Sequence, residues 1–239
     1  MRARSILGLA LACGALAPGC YDNVGTRFDD TGTTILPDGG AAVNLAPWEM
    51  PNVASLPAAT ATDPCPEMLH EVEVHTWMGG RVAAVHAAGC IHATPAAVWE
   101  AIQDPETAHD PSSTNSFAVI RPAMTSECDG PYQTQINAGP AGFTIDFRLC
   151  WRHAIIEGSE TDPMLTHTRW QKVWGSNAIR TLEGSLVSQP HPGSPDITEV
   201  YYQYHLDSAS LGPSNYETIN TYLNMIYARL VTRSHGTML

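Results

Sequence analysis

The chain has 239 residues, 44% of them hydrophobic, and a formal charge of -12. That length holds one folded domain of ordinary size plus additional segments. Lys172 is the single lysine and no cluster of Lys and Arg occurs, which excludes nucleic acid as a partner and argues against docking onto anionic headgroups.

In chain order, Arg2 and Arg4 give a positive start, residues 6–17 are an almost unbroken apolar run, and Ala17-Pro18-Gly19 leads into Cys20. This is the layout of a secretory leader, with too few apolar residues for a permanent membrane span. A Cys at the cleavage point resembles a bacterial lipoprotein signal, in which that Cys is acylated and becomes the new N-terminus. Cys20 is therefore the expected lipid attachment site, and removal of Arg2 and Arg4 with residues 1–20 takes the charge to -14. Cys13, behind Ala10-Leu11-Ala12, is a second candidate, but it leaves an apolar core of about seven residues, at the lower limit for such a region. An ordinary cleaved leader with an incidental Cys is the other alternative. Tyr21, rather than Asp, after the Cys points to the outer membrane of a bacterial envelope; without acylation the protein would be secreted.

Residues 21–64 read as a flexible acidic tether. They hold nine Gly or Pro residues and six acidic groups against one Arg. Such a segment buries too little apolar surface to offset its ordering entropy.

From Cys65 the pattern becomes regular, and residues 65–239 are expected to form the folded domain. Segments 69–77 and 81–92 flank Met78-Gly79-Gly80, which predicts a hairpin or one long strand with a glycine bulge. Thr94 offers an N-cap, Pro95 fills the favoured first helical position, and Val98, Trp99 and Ile102 supply an apolar face before Asp104-Pro105 stops the helix. Strand-like segments follow at 117–124, 132–138, 143–156, 165–174, 178–187 and 199–206. Phe147, Leu149 and Trp151 alternate with Arg148, Cys150 and Arg152, and Tyr202 and Tyr204 with Gln203 and His205, as in antiparallel strands with one wet face. The chain closes on a long helix: Ser214-Asn215-Tyr216-Glu217 is a capping box, and Tyr216, Ile219, Leu223, Ile226, Tyr227 and Leu230 recur at helical spacing.

Beyond the leader there are four cysteines, Cys65, Cys90, Cys128 and Cys150. An even number in an exported chain suggests two disulfides, and four cysteines allow three pairings. A metal site is the alternative, since His86, Cys90 and His92 would share one strand face; the close paired spacing usual for zinc is missing, and no metal is expected.

The run Val82-Ala83-Ala84-Val85-His86, followed by Ile91-His92-Ala93-Thr94-Pro95-Ala96-Ala97-Val98-Trp99-Glu100-Ala101-Ile102-Gln103-Asp104-Pro105, resembles the opening of the START-like or helix-grip superfamily. That group includes the Bet v 1-type allergens and the polyketide cyclase/dehydrase and lipid-transport proteins. The resemblance spans about residues 81–235. It implies an α+β fold in which a curved antiparallel sheet of six to seven strands grips the long C-terminal helix, with short helices after the first strand and a cavity between sheet and helix. The Trp that many members carry shortly after Asp-Pro is replaced by His109-Asp110-Pro111.

Alternation then nominates the cavity wall: Phe147, Leu149 and Trp151 from one strand, Trp170 and Trp174 from another, Tyr202 and Tyr204 from a third, and Tyr222, Met225 and Ile226 from the helix. The same residues could instead fill a core, but Trp and Tyr bring apolar bulk with a polar handle, as ligand pockets use. No Gly-x-Ser-x-Gly, His-Glu-x-x-His or phosphate loop occurs, so no catalytic residue is assigned and no cofactor is expected. The expected function is binding of a hydrophobic small molecule or lipid by an envelope-anchored carrier or sensor, with membrane contact through the acyl anchor alone. A cyclase- or dehydratase-like enzyme would need His153, His205 or Arg169 in the cavity, and a surface lipoprotein with a filled core is the third reading.

Overall fold

The structure, a computed structural model, describes residues 65–77, 82–121, 128, 130–139, 145–176, 178–209 and 214–236. The leader at 1–20 with Cys20, and the tether at 21–64, lie outside the described residues.

Period-two alternation yields eight strands among the described residues: β1 (Leu69–Trp77), β2 (Val82–Ile91), β3 (Thr114–Ile120), β4 (Tyr132–Ala138), β5 (Ile145–Ser159), β6 (Asp162–Gly175), β7 (Ile179–His191) and β8 (Ser194–Ser208). They form one antiparallel sheet in the order β1-β2-β8-β7-β6-β5-β4-β3. The expected six to seven strands are thus corrected to eight. Segments 69–77 and 82–91 pair as separate antiparallel strands, Trp77 opposite Val82, so the glycine-rich stretch separates two strands rather than bulging one. The short helices consequently follow β2, not the first strand.

Helix α1 (Pro95–Gln103) begins where Thr94 Oγ1 accepts from the Ala97 amide, and Asp104 ends it and caps a 3-10 turn, Pro105–Ala108, by accepting from the Glu106 amide at 2.9 Å. Helix α2 (Asn215–Ser234) opens on the expected capping box: Glu217 N donates to Ser214 Oγ at 3.3 Å, and Ser214 N to Glu217 Oε2 at 2.7 Å. Its stripe of Ile219, Leu223, Ile226, Tyr227 and Leu230 is buried against β2 and β8, while α1 packs on β6, β7, β8 and α2. Tyr227 Oη donates to the Cys90 carbonyl, and the Arg233 guanidinium pairs with Asp104, fastening the C-terminal half of α2 to β2 and to the end of α1. None of the described helices is long and apolar enough to cross a membrane.

The concave face carries the core: Val85 and Ala87 from β2, Val200, Tyr202, Tyr204 and Leu206 from β8, Leu182 and Leu186 from β7, Trp170 from β6, and Leu149 and Trp151 from β5. The other face is polar yet buried along the central strands, with His205 Nδ1 3.0 Å from Glu183 Oε1 and Arg180 2.8 Å from Asp207. Two disulfides select one of the three pairings: Cys65–Cys90 ties the start of the domain to β2, and Cys128–Cys150 ties the segment before β4 to β5, where it packs on Val173.

Candidate ligand-binding cavity

A cavity of about 550 Å³ opens between the sheet and the first turns of α2. Its wall collects the ends of many elements: Ala108 closes the 3-10 turn, Thr114 opens β3, Ala138 closes β4, Ile145 opens β5, Ile179 opens β7, Ser208 closes β8 and Asn215 opens α2. The interior is aliphatic, with Ile136, Leu149, Ile179, Leu182, Leu206 and Ile219 alongside Phe147. The mouth is polar, with His109, Asp110, Ser113 and Thr114.

Of the nominated wall residues, Phe147, Leu149, Tyr204 and Tyr222 line this cavity. Trp151 and Trp170 do not. Their rings lie 5.4 Å apart in the packed half of the concave groove, and the row continues from Trp170 to Tyr204 at 5.8 Å and from Tyr204 to Tyr222 at 5.5 Å. Two of the tryptophans therefore fill one end of the groove, and the row of rings ends at the cavity. Tyr202 is fully buried in the core and Met225 packs at its margin, neither in the wall.

The placement of Trp174 beside Trp170 is corrected. Leu149 pairs with Lys172 but Arg148 pairs with Trp174, so Val173 is an extra residue and the alternation breaks there. The indole of Trp174 instead lies under the Arg148 guanidinium, 4.7 Å from its carbon, on the face away from the cavity.

Sequence reasoning missed Ile136, Leu182, Leu206 and Ile219, and also His109 and Asp110, which stand where the START-like pattern has its Trp. Alternation with Tyr204 carries the signal for Leu206, and the stripe of α2 carries it for Ile219. His109 stacks on Phe117 at 4.1 Å and is held between Glu106 Oε2 at 3.1 Å and Thr114 Oγ1 at 2.7 Å. Tyr222 Oη donates to the Ala108 carbonyl at 2.9 Å, so the turn before the mouth is pinned to α2.

The three groups nominated for acid–base chemistry lie elsewhere. His153 is enclosed by Thr168 Oγ1 at 2.9 Å and Tyr132 Oη at 3.1 Å, and burial, assisted by the positive Arg121, lowers its pKa to about 4. His205 and Arg169 are on the opposite face of the sheet, as the pairings with Glu183 and Ser185 require. None of the three lines the cavity. Burial raises the phenol pKa of Tyr204 and Tyr222, so both are protonated donors. For the metal alternative, Cys90 is bonded to Cys65 and His86 faces Tyr201. Among the described residues Cys65, Cys90 and His191 come within ligand range of one another, but the two sulfurs are joined and His191 Nδ1 sits 2.5 Å from Glu199.

An antiparallel sheet wrapped around a C-terminal helix, with α1 entered through Thr-Pro and left through Asp-Pro, is a helix-grip fold. No family model and no curated protein matches the chain in sequence. Among solved structures it is similar to the protein TTHA0849 from Thermus thermophilus, at 16% identity over 64% of this chain and 97% of that one, with a TM-score of 0.44. It is likewise similar to Ara h 8.0201, at 11% identity over 65% and 99% with a TM-score of 0.44. The lipid transfer and protein localization domain of human StarD13 matches at 10% identity over 70% and 88%, with a TM-score of 0.47.

Proposed function

We propose that this domain binds a hydrophobic small molecule or lipid, as a carrier or sensor held at a bacterial envelope membrane. The single observation that carries the binding reading is the cavity of about 550 Å³ with its aliphatic interior. Its volume lies within the roughly 300–1,000 Å³ of small-molecule sites, and apolar walls with a few polar groups are what such sites use. A core evolved only for stability would fill this space, since unfilled volume forfeits dispersion contacts. The membrane contact is through acylated Cys20 alone, with residues 21–64 as the tether and the outer membrane as the location; the leader layout and Tyr21 support this.

The test is extraction and mass spectrometry of the purified protein, paired with Ala138→Trp, which places an indole in the cavity wall. The wild type should carry an apolar molecule, or take up an apolar fluorescent probe, and the Trp variant should do neither. Repeated preparations without ligand, together with failure to take up any apolar probe, would overturn binding and leave a structural surface protein.

A further inference from the structure

We infer that the ligand is uncharged and places a hydrogen-bond acceptor, such as a ketone or ester carbonyl, against the Tyr204 hydroxyl. This rests on the cavity being a binding site, as proposed above.

Tyr204 lines the cavity with only 4% of its surface exposed. Its ring is held on both sides, by Trp170 at 5.8 Å and Tyr222 at 5.5 Å. Yet its hydroxyl makes no hydrogen bond among the described residues. The other polar side chains of the wall are engaged. Tyr222 donates to Ala108, His109 sits between Glu106 and Thr114, Asp110 accepts from Ser112, and Ser208 donates to Asn215. A hydroxyl of a cavity-lining residue that pairs with no protein group is open to an acceptor atom of a bound molecule, whereas Phe at the same position would keep the ring contacts and offer no donor. Tyr202 Oη and Trp170 Nε1 are buried without partners, but neither residue lines the cavity. The Tyr204 hydroxyl is thus the donor a ligand can satisfy.

Charge selects further. Among the described residues of the lining there is no Lys or Arg, and the acid there is Asp110 at the mouth. A carboxylate or phosphate drawn into the aliphatic interior would lose its water without gaining a counter-ion, and it would pass an acidic group on entry. A neutral carbonyl compound accepts the Tyr204 proton without that cost. Free fatty acids and phospholipid headgroups are disfavoured on the same ground.

Three naphthalene probes separate the possibilities, each carrying a dimethylamino group at one end. The opposite substituent is a propionyl ketone, a propyl chain without the carbonyl, or a carboxylate. Binding is followed by emission with the full chain, its Tyr204→Phe variant and Ala138→Trp. The ketone should bind the wild type, lose about tenfold in affinity in Tyr204→Phe, and show a lower carbonyl stretching frequency in the wild-type complex than in the variant. The propyl probe should bind both alike, which also reports an intact cavity in the variant, and the carboxylate should bind at least tenfold more weakly than the ketone. Equal ketone affinity and stretching frequency in wild type and variant, or carboxylate binding as tight as ketone binding, overturns this inference. The cavity reading survives that result if the propyl probe still binds. If no probe binds the wild type, or binding persists in Ala138→Trp, the cavity reading falls and this inference with it.

Discussion

The indole of Trp170 occupies the space a side chain on Gly184 would need. A Cβ at Gly184 would stand 2.3 Å from Trp170 Cζ2 and 2.6 Å from the Gln203 carbonyl oxygen. The two residues are paired in register between β6 and β7, so one strand supplies the ring and its neighbour the hole that receives it. Because Trp170 in turn contacts Tyr204, this pairing decides where the filled half of the groove ends and the cavity begins.

Gly184→Ala should therefore destabilise the domain by roughly 1–3 kcal/mol, the usual cost of overpacking a filled core. The backbone oxygen of Gln203 cannot move aside without breaking the β7–β8 ladder, so Trp170 must yield and push on Tyr204. Urea unfolding checks the first effect. Weaker uptake of an apolar probe at equal protein concentration checks the second; unchanged stability would mean that the indole relocates at no cost.

Acid should weaken the fold before its carboxylates protonate. Burial and Arg121 lower the pKa of His153 to about 4, and burial with Arg169 lowers that of His167 to about 3, from an ordinary 6.5. Below pH 6.5 the unfolded chain takes up protons that the folded one refuses. Stability is then full above about 6.5 and falls on acidification, by up to about 1.4 kcal/mol per pH unit for each group, until pH 4 for His153 and pH 3 for His167. Urea midpoints from pH 7.5 to 4.5 read this slope. Burial lowers the pKa of His86 as well, so His153→Gln, which keeps hydrogen-bonding capacity for Thr168 and Tyr132, should reduce the slope by roughly a third.

The parts legible in the sequence were those whose cause is local. The capping box at Ser214 and Glu217 and the stripe from Ile219 to Leu230 place α2 because both depend on residues three and four apart. Strict alternation likewise put Phe147, Leu149 and Tyr204 on the cavity face. Trp174 departs from the face that alternation assigns it because the bulge at Val173 adds one residue to β6, a shift set by pairing with β5 that the segment's own composition does not carry. The division of the groove into a filled and an open half depends on Gly184 opposite Trp170, a meeting between strands that no single segment reports. His109 and Asp110 entered the site through the 3-10 turn and its tie to Tyr222, a contact spanning 114 residues between Ala108 and Tyr222.

The two disulfides should differ in access. Cys128 and Cys150 are buried and pack on Val173, whereas Cys65 is partly exposed at the start of the domain. Mild thiol treatment of the native protein, followed by alkylation and mass mapping, should open Cys65–Cys90 first. Replacing Cys128 and Cys150 together by Ala should cost about 3 kcal/mol, as expected for a crosslink spanning a separation of 22 residues. Simultaneous reduction of both bonds would show that access does not set the order.

Anchoring is tested at Cys20. Cys20→Ser should abolish incorporation of a labelled fatty acid and move the protein from the membrane fraction to the soluble one, because one or more acyl chains supply the membrane affinity and the acidic domain adds none. The variant's domain should remain folded, with unchanged unfolding midpoint and probe binding, since the elements that build the cavity lie between Leu69 and Ser234. If Cys13→Ser removes the label instead, the leader ends earlier and residues 14–20 join the tether. If neither substitution changes lipid labelling or fractionation, the protein is released rather than anchored, and a ligand bound by Tyr204 and its neighbours would be carried free of the membrane.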